Sequence, residues 1–424
     1  MKLDSYWLDT APAGLQDCEG PVDGHVDVAV IGGGFTGLSA AMALGKRGAT
    51  VTVLDAGRIG GGASGRNGGQ CNTGVAHDYA ALREQLGIER AQGCYRAYAE
   101  AVATVERLIR EEQIDCDYLA SGKLKLAAKP QHLAHLEHTA ELIRREVDPD
   151  VEIIPRERIR SEVESDSFFG GLLHKRGGQM HMGKFAVGLA NAAVRNGARL
   201  FEHAAVTSIA KDGGAYQIES ARGTLRAQQV LIATGPSRHG PFGWYRRRMA
   251  PVGSFIIVTE QLPAEHLARL LPNRRSYTTS RLMHNYFRVT PDSRLLFGGR
   301  ARFTASEQPS DEKSGRILQA NLAHMFPSLA NARIDYCWGG LVDITADRLP
   351  RAGQHDGIYF SMGYSGHGTQ MSTHMGQVMA EVIAGNAEAN PWRDFEWRAI
   401  PGHTGKPWFL PLVGAYFRIK DVFY

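Results

Sequence analysis

One stretch decides how this chain folds: Val26-Asp-Val-Ala-Val-Ile-Gly-Gly-Gly-Phe-Thr-Gly37. Its first half is a nearly continuous apolar run, which is typical of a parallel strand buried on both faces. Gly32, Gly34 and Gly37 follow in the spacing G-x-G-x-x-G. In this pattern the first glycine allows a sharp turn, the second lets the backbone approach a pyrophosphate, and the third lets a helix pack closely on the strand. The phosphates would bind the free N–H groups at the start of that helix.

A second strand follows at the expected distance. The apolar run that begins at Thr50 ends in Asp55, 18 residues after Gly37, and Gly48 is a plausible helix stop before it. A carboxylate at this position accepts hydrogen bonds from an adenosine ribose and argues against a 2'-phosphate. Strand, turn, helix, strand and acid therefore predict an adenine-dinucleotide site. The alternative is a glycine-rich turn in an α/β protein that binds no nucleotide.

Length, charge and cysteine content restrict the class of protein. The chain has 424 residues, of which 43% are hydrophobic, and this is enough for a large core in about two domains. The 48 basic and 44 acidic residues nearly balance, so charge gives no case for a nucleic-acid partner. The five cysteines are scattered without a C-x-x-C pair, which favours a reducing, cytoplasmic compartment. We find neither a signal peptide nor an apolar run of about 18 residues, so we expect no transmembrane segment.

Two further glycine-rich segments precede or follow apolar runs. Gly60 to Gln70 interleaves glycines with Ser64, Arg66 and Asn67, so backbone and side chains could meet a flat or anionic ligand. A flexible linker is the alternative. Gly363-Tyr-Ser-Gly-His-Gly368 opens a long helix, whose positive N-terminal end would favour a cofactor that is anionic when reduced.

The rest of the chain predicts a second, interrupting domain. The strand Val230-Leu-Ile-Ala-Thr-Gly235 should return the chain to the first sheet. Residues 249–303 are rich in strand signals and predict a mostly antiparallel sheet, followed by a helix at about 312–326. His132, His135 and His138 suggest a metal site by their spacing, but no second cluster of ligands follows, so we favour a solvated helix face and no metal.

The ordered motifs resemble one family. Together with the opening fingerprint, the segments Gly62–Gly69, Ile232–Gly235 and Gly363–Gly368 are similar to those of the flavin-dependent D-amino-acid oxidase and sarcosine oxidase superfamily, and most similar to its γ-glutamylputrescine oxidase group. The resemblance implies α/β plus α+β architecture, in which a Rossmann-type FAD-binding domain is interrupted by a substrate domain. We assign 1–95, 150–245 and 331–385 to the FAD-binding domain, 96–149 and 246–330 to the substrate domain, and 386–424 to a tail packed on the fold.

The resemblance also implies which residues hold FAD. They come from the fingerprint, the second glycine-rich segment, the adenine-side strands and the last turn. They are Gly32, Gly34, Phe35, Thr36, Gly37, Asp55, Ala63, Ser64, Arg66, Asn67, Gly68, Val206, Thr234, Gly235, Gly363, Gly366, His367, Gly368 and Thr369. His367, Arg66 and Gln370 are the candidate catalytic residues, and His181, Tyr286 and Tyr364 are candidate pocket residues.

The implied reaction is oxidation of a C–N bond. Hydride passes from the carbon that bears the amine to flavin N5, and the resulting imine is hydrolysed. The expected substrate is γ-glutamylputrescine or a similar polyamine derivative, with oxygen or another electron acceptor. The alternatives are an oxidase or dehydrogenase of L-pipecolate or other secondary or cyclic amino acids, and a flavoprotein subunit that needs a partner for activity. The oligomeric state is left open.

Three positions depart from the family pattern. Sarcosine oxidases place a lysine where this chain has Gln370, which puts a simple amino-acid carboxylate pose in doubt. They carry another lysine, linked to oxygen activation, on the strand that aligns with Leu295 to Gly298, where this chain has none. Cys337 aligns with their flavin-linking cysteine, so the resemblance permits a covalent link, although noncovalent FAD and a buried structural thiol are the expectation.

Overall fold

The computed structural model describes residues 1–13, 18–76, 78–237, 239–299 and 308–423. These residues form helices and strands that we number in chain order. The helices are α1 Tyr6–Asp9, α2 Phe35–Lys46, α3 Tyr79–Leu86, α4 Ile88–Glu111, α5 Pro130–Glu146, α6 Met182–Arg195, α7 Gly243–Arg246, α8 Ala264–Leu270, α9 Gln308–Met325, α10 Gly368–Ile383 and α11 Leu410–Phe423.

The strands include both long sheet strands and short edge strands. They are β1 His25–Ile31, β2 Val51–Leu54, β3 Gln70–Asn72, β4 Lys123–Leu126, β5 Glu152–Ile154, β6 Gly171–His174, β7 Gly177–Gln179, β8 Arg199–Phe201, β9 Val206–Asp212, β10 Ala215–Ser220, β11 Gly223–Ile232, β12 Ala250–Thr259, β13 Ser276–Thr279, β14 Asn285–Val289, β15 Leu295–Gly299, β16 Ile334–Ile344, β17 Arg351–His355 and β18 Ile358–Met362.

The first sheet has the order β17-β18-β11-β1-β2-β8. Strand β1 pairs in parallel with β11 on one side and β2 on the other, and β8 and β18 continue the parallel core. The hairpin of β9 and β10 extends the far end of β11. The predicted return of the chain through β11 is therefore confirmed, and the central strand β1 ends at the glycine-rich turn.

Helices α2 and α10 pack together against this sheet at very short range. A Cβ built on Gly376 of α10 would lie 2.5 Å from the backbone oxygen of Thr36 in α2. The hydroxyl of Ser39 donates to the backbone oxygen of Thr373 at 2.7 Å. Close packing of these two helices places both of their N-termini at the same edge of the sheet.

The second sheet has the order β16-β12-β15-β14-β13-β4-β6-β5 and is mostly antiparallel, as predicted. Its one parallel pair joins β13 to β4. The domain ranges assigned from the sequence need correction here, because β5 and β6, within 150–245, and β16, within 331–385, lie in this sheet and not in the first. Pairing with strands far away in the chain decided their place, and periodicity along the chain carries no information about it.

The two faces of the second sheet have different environments. One face is covered by α9 and buries Leu124, Tyr277, Phe287 and Phe297 in an apolar core. Residues that pair side by side in a sheet share a face. The opposite face therefore carries a row of paired residues, one from each of the strands β4, β13, β14, β15, β12 and β16. These residues are Lys125, Thr278, Tyr286, Gly298, Ile256 and Trp338.

The C-terminal helix α11 lies on the body of the protein. Asp421 accepts a hydrogen bond from the backbone N–H of Leu282 at 2.7 Å, and Leu410 is buried beside Val252. Its other side leaves Leu412 66% exposed. Within the described ranges, no helix is both long enough and apolar enough to cross a membrane.

Candidate active site

The first glycine-rich turn is built so that side chains cannot enter it. Gly32 has φ +111°, and a Cβ there would lie 2.6 Å from the backbone oxygen of Ala233. A Cβ on Gly37 would lie 1.9 Å from the backbone oxygen of Gly32. Helix α2 then starts at Phe35, and its N-cap residue is Gly34, which has no side chain to cap it. The first N–H groups of a helix lack intrahelical acceptors, so this end can bind an anion.

Asp55 stands at the end of β2 beside this turn. Its carboxylate accepts from the backbone N–H of Gly33 at 2.7 Å and of Gly57 at 2.8 Å. Its backbone oxygen accepts from Ala204 at 2.7 Å, which brings the start of β9 at Val206 to the same corner. The predicted pair Thr234 and Gly235 follows β11 directly, adjoining Ala233 against the first turn.

The second glycine-rich segment folds over the first. The hydroxyl of Ser64 accepts from the backbone N–H of Phe35 at 3.0 Å. The amide of Asn67 donates to the backbone oxygens of Ala63 at 3.2 Å and Ser64 at 2.8 Å, and its oxygen accepts from Gly69 at 2.8 Å. Asn67 therefore fixes the shape of the loop through its own side chain.

Arg66 ties this loop to the second sheet. Its guanidinium donates to the backbone oxygens of Gly61 at 3.1 Å and of Gly339 at 3.3 Å. In return, the indole N–H of Trp338 donates to the backbone oxygen of Arg66 at 2.9 Å. Gly68 lies against Tyr286, whose ring carbon would be 2.7 Å from a Cβ at that position. The loop is thus held between the two sheets.

The third turn closes on the other two. Thr369 donates to the side-chain oxygen of Asn67 at 3.3 Å, and the hydroxyls of Tyr364 and Thr36 lie 2.8 Å apart. The turn has three positive φ angles: +81° at Gly363, +52° at Ser365 and +92° at Gly366. All three predicted glycine-rich segments therefore meet at one place.

A buried carboxylate that the sequence did not single out supports the third turn. Asp343 accepts from the backbone N–H of Gly363 at 2.6 Å, and its backbone oxygen accepts from Ser365 at 3.1 Å. Burial raises the pKa of this carboxyl to about 6, partly opposed by these backbone donors. In the sequence Asp343 is a single acidic residue within a strand, and such a residue can be either buried or exposed.

A buried arginine, also missed from the sequence, anchors the second segment. Arg288 of β14 is 1% exposed and donates to the backbone oxygens of Gly69 at 2.7 Å and Met180 at 2.8 Å. Its guanidinium lies over the ring of Trp7, 5.3 Å from the centroid. Burial lowers its pKa to about 9. Arg288 pairs directly with Leu296, so the two side chains lie on the same face of the sheet. Leu296 belongs to β15, the strand on which sarcosine oxidases carry a lysine and this chain has none.

The candidate catalytic residues differ in their environments. His367 is half-buried at the N-cap of α10, and its ring meets the edge of Tyr98 at a centroid distance of 5.9 Å. Gln370 is 1% exposed, and its amide donates to the backbone oxygen of Asn72 at 2.7 Å. Gln370 therefore joins α10 to β3 in this structure, and its catalytic role stays a prediction, as do those of His367 and Arg66.

The candidate pocket residues separate into two groups. Tyr286 lies where the second glycine-rich segment meets the second sheet, whereas the hydroxyl of Tyr364 lies 2.8 Å from that of Thr36 and 2.9 Å from that of Ser361 in β18. His181 is instead the N-cap of α6, where its Nδ1 accepts from the backbone N–H of Lys184 at 3.2 Å and its Nε2 contacts the Thr10 hydroxyl at 2.9 Å. It also packs on Trp7, 4.9 Å between ring centroids. Both ring nitrogens serve structural contacts, so we correct its assignment to a helix cap.

The three histidines of α5 do not converge. His132 is buried and contacts the hydroxyl of Ser280 at 2.6 Å, whereas His135 and His138 are exposed. His135 instead pairs with Asp78 at 3.0 Å. The described residues contain no group of three or more histidine, cysteine or acidic side chains that could hold a metal ion.

Cys337 faces away from the loops. Its sulfur is fully buried, donates to the backbone oxygen of Asp311 at 3.3 Å and would lie 2.7 Å from a Cβ on Gly315 of α9. The next residue in β16, Trp338, contacts Arg66 from the other face. Since side chains alternate along a strand, the thiol belongs to the core beneath α9.

The residues of this site fit an adenine dinucleotide. The first turn is a cradle that side chains would fill, since even a Cβ on Gly34 would lie 2.9 Å from the Ser64 hydroxyl. The N-cap residues of α2 and α10 make no side-chain cap, although the Ser64 hydroxyl accepts from the first N–H of α2, at Phe35. Two positive helix ends suit a pyrophosphate and a ring system that gains negative charge on reduction.

Comparisons with known proteins agree on one family. A family model described as FAD dependent oxidoreductase matches residues 27–382. The gamma-glutamylputrescine oxidoreductase of Escherichia coli (strain K12) is 36% identical over 93% of this chain and 92% of its own length. Glycine oxidase from Geobacillus kaustophilus superposes with a TM-score of 0.70 at 22% identity, covering 88% of this chain and 100% of that one. L-proline dehydrogenase from P. horikoshii gives 0.70 at 20% identity, covering 85% and 94%.

Proposed function

We propose that this chain, which belongs to the family of FAD-dependent oxidoreductases and acts on amine C–N bonds, oxidises γ-glutamylputrescine or a similar polyamine derivative. The observation that carries the substrate is the 36% identity with gamma-glutamylputrescine oxidoreductase, which extends over 93% of the chain. A match of this length covers both sheets and all three glycine-rich segments.

Different segments of the chain would hold different parts of the cofactor. When bound, FAD supplies the two-electron oxidation of the C–N bond. We assign the pyrophosphate to the turn of Gly32, Gly34 and Gly37, and the adenosine ribose to Asp55. The segment from Ala63 to Gly68 and the turn from Gly363 to Thr369 would hold the flavin end. Burial of the substrate amine against Tyr286 and its neighbours would favour the neutral amine, which is the form that can lose hydride.

Oxidation of an amino acid is the second candidate function. Glycine oxidase of Geobacillus kaustophilus (strain HTA426) is 25% identical over 90% of this chain. In such a reaction a small substrate keeps its carboxylate close to the oxidised carbon. Gln370, which stands where sarcosine oxidases have a lysine, is already bonded to Asn72, and this favours the longer substrate.

The test is anaerobic bleaching of the flavin in the purified single chain. We expect γ-glutamylputrescine to remove the oxidised flavin band, while L-pipecolate, sarcosine and glycine leave it largely unchanged. Bleaching by L-pipecolate alone would contradict the proposed substrate. Failure of every amine to bleach the flavin until a partner protein is added would favour the flavoprotein-subunit alternative. Admission of air then distinguishes oxygen from another acceptor by the rate at which the band returns.

A separate prediction concerns the linkage of FAD. Because the Cys337 sulfur points into the core beneath α9, we expect acid precipitation to leave all flavin colour in the supernatant. Cys337→Ala should retain FAD with an unchanged visible spectrum and lose about 1–2 kcal/mol of unfolding free energy, as for a small buried apolar group. Colour in the wild-type pellet that disappears in Cys337→Ala would establish the covalent link instead.

A further inference from the structure

Two lysines of the second sheet lie on a covered face: Lys123 is buried and Lys125 is half-buried. They alternate along β4 with Leu124 and Leu126, which are fully buried in the core beneath α9. Because side chains alternate between the faces of a strand, both lysines lie on the opposite face, the one that meets the glycine-rich loop. Lys123 is 9% exposed.

The row of paired residues leads from the cofactor loop to these lysines. Gly68 lies against Tyr286, Tyr286 pairs with Thr278, and Thr278 pairs with Lys125. Neighbouring strands are about 4.8 Å apart, so Lys125 stands two strands, or roughly 10 Å, from Tyr286. The lysines are thus at the far end of the same face and not beside the flavin position.

Neither ammonium group is neutralised by the described part of the chain. No described carboxylate lies within 4.0 Å of either lysine nitrogen, and Asp78 acts on Lys125 only over a longer distance. Burial, and then Lys125, lower the pKa of Lys123 to about 8. A buried charge without a partner destabilises the folded state. An apolar residue would serve packing better, so these lysines point to an anionic ligand.

The neighbouring side chains do not neutralise the two ammonium groups. His174 pairs with Lys123 in the sheet, and burial together with the two lysines lowers its pKa to about 3, so it stays neutral. Its Nδ1 lies 3.3 Å from the Tyr95 hydroxyl, which donates to Asp148 at 3.1 Å. Asp148 also accepts from the backbone N–H of Asp150. Asp148 is therefore already engaged, and so is Asp78, which accepts from Thr139 at 3.2 Å and pairs with His135.

Helix α4 contacts both the third glycine-rich turn and β6, the strand that pairs with the lysine strand β4. Tyr98 meets the ring of His367, and Tyr95, one helical turn earlier, reaches His174. Asn72 lies between the same two regions, since it accepts from Gln370 of α10 and pairs with Gly177 of β7. Its buried side-chain oxygen has no hydrogen-bond donor among the described residues. An acceptor of this kind suits a ligand ammonium group.

We propose that Lys123 and Lys125 bind a carboxylate at the end of the substrate remote from the amine that is oxidised. This inference rests on the proposed function, in that it specifies the substrate class of the same site. A γ-glutamyl amide of a four-carbon diamine has its α-carboxylate about nine bonds, or roughly 11 Å when extended, from the oxidised carbon. That length matches the separation between Tyr286 and Lys125 across the sheet. An α-ammonium beside the carboxylate faces an acceptor such as Asn72.

The experiment measures binding without turnover. Isothermal calorimetry of the FAD-loaded protein uses γ-glutamylbutylamide, which keeps the γ-glutamyl group and the chain but lacks the oxidisable amine. We expect Lys123→Met and Lys125→Met each to raise its Kd about 10- to 100-fold, the loss of one charged hydrogen bond. In steady-state assays, the kcat/KM ratio of γ-glutamylputrescine to N-acetylputrescine should fall by a similar factor.

Lys175→Met is the matched control, because Lys175 adjoins His174 but is exposed and pairs with Glu152 at 3.6 Å. It should leave Kd unchanged. We also expect Tm to rise in Lys123→Met, since a buried ammonium group that no described carboxylate neutralises is replaced by an apolar chain of similar length. Unchanged Kd in both variants, or no binding by the wild type, overturns the proposal. Lysine-dependent binding without flavin bleaching by γ-glutamylputrescine supports the carboxylate site and rejects only the proposed substrate.

Discussion

Gly37→Ala should yield a protein without FAD. A Cβ at this position would lie 1.9 Å from the backbone oxygen of Gly32, and that atom belongs to the turn itself and cannot rotate away. The helix α2 must move off β1, which displaces the N-terminal N–H groups assigned to the pyrophosphate. We expect no flavin absorbance after purification and at least a 100-fold loss of FAD affinity on reconstitution, equivalent to about 3 kcal/mol or more.

Gly93→Ala is the matched control for this substitution. Gly93 lies inside α4, and a Cβ there would meet nothing within 4 Å. Alanine has a higher helix propensity than glycine, so this variant should keep its FAD and gain about 0.5–1 kcal/mol. Full flavin content in Gly37→Ala would show that the turn tolerates a side chain and that the pyrophosphate lies elsewhere.

Arg288→Met should loosen the second glycine-rich segment. The substitution keeps an apolar chain of similar length on β14 but removes the donors to the backbone oxygens of Gly69 and Met180. The buried carbonyl of Met180 would then lack a partner, and that of Gly69 would keep only the backbone N–H of Met180, at about 1–2 kcal/mol for each hydrogen bond lost. Relief of the buried charge offsets part of this loss, so we expect a net decrease of about 2 kcal/mol in the free energy of unfolding. Guanidinium denaturation with flavin fluorescence measures both stability and FAD release.

Arg158→Met provides the comparison on the surface. Arg158 is 60% exposed and pairs with Glu152 at 3.1 Å, and an exposed pair of this kind contributes little. Its loss should change the unfolding free energy by no more than about 0.5 kcal/mol. Equal stability of the two arginine variants would mean that Arg288 does not hold the loop in place.

The site was predictable from the sequence where backbone chemistry is local. Glycines at Gly32, Gly34 and Gly37 have one explanation in a strand-to-helix turn, because the required backbone approach excludes side chains. The family, the cofactor and the class of reaction inferred from these motifs are confirmed by the family match over residues 27–382 and by the curated relatives. The individual FAD contacts stay predictions, although the structure brings their residues together.

The alternating side chains of β4 are an example of burial that the sequence could not predict. Lys-Leu-Lys-Leu at 123–126 has the pattern of a strand with one face in water, and the sequence cannot state that Tyr95 of α4 reaches His174 on that face. His181 was misread for a related reason, since a histidine before a helix can cap it or line a pocket. Both outcomes depend on which distant segment packs against the residue.

The sequence by itself determined the dinucleotide turn, its acid at Asp55 and the family, because steric and hydrogen-bonding requirements act within a few residues along the chain. Only the tertiary structure decided that β5, β6 and β16 join the second sheet, that Cys337 faces α9, and that Arg288 and Lys123 are buried, and Lys125 half-buried, on the cofactor face. Burial and strand pairing are properties of contacts between remote segments, and these contacts set the energetic consequences of a charge or a thiol.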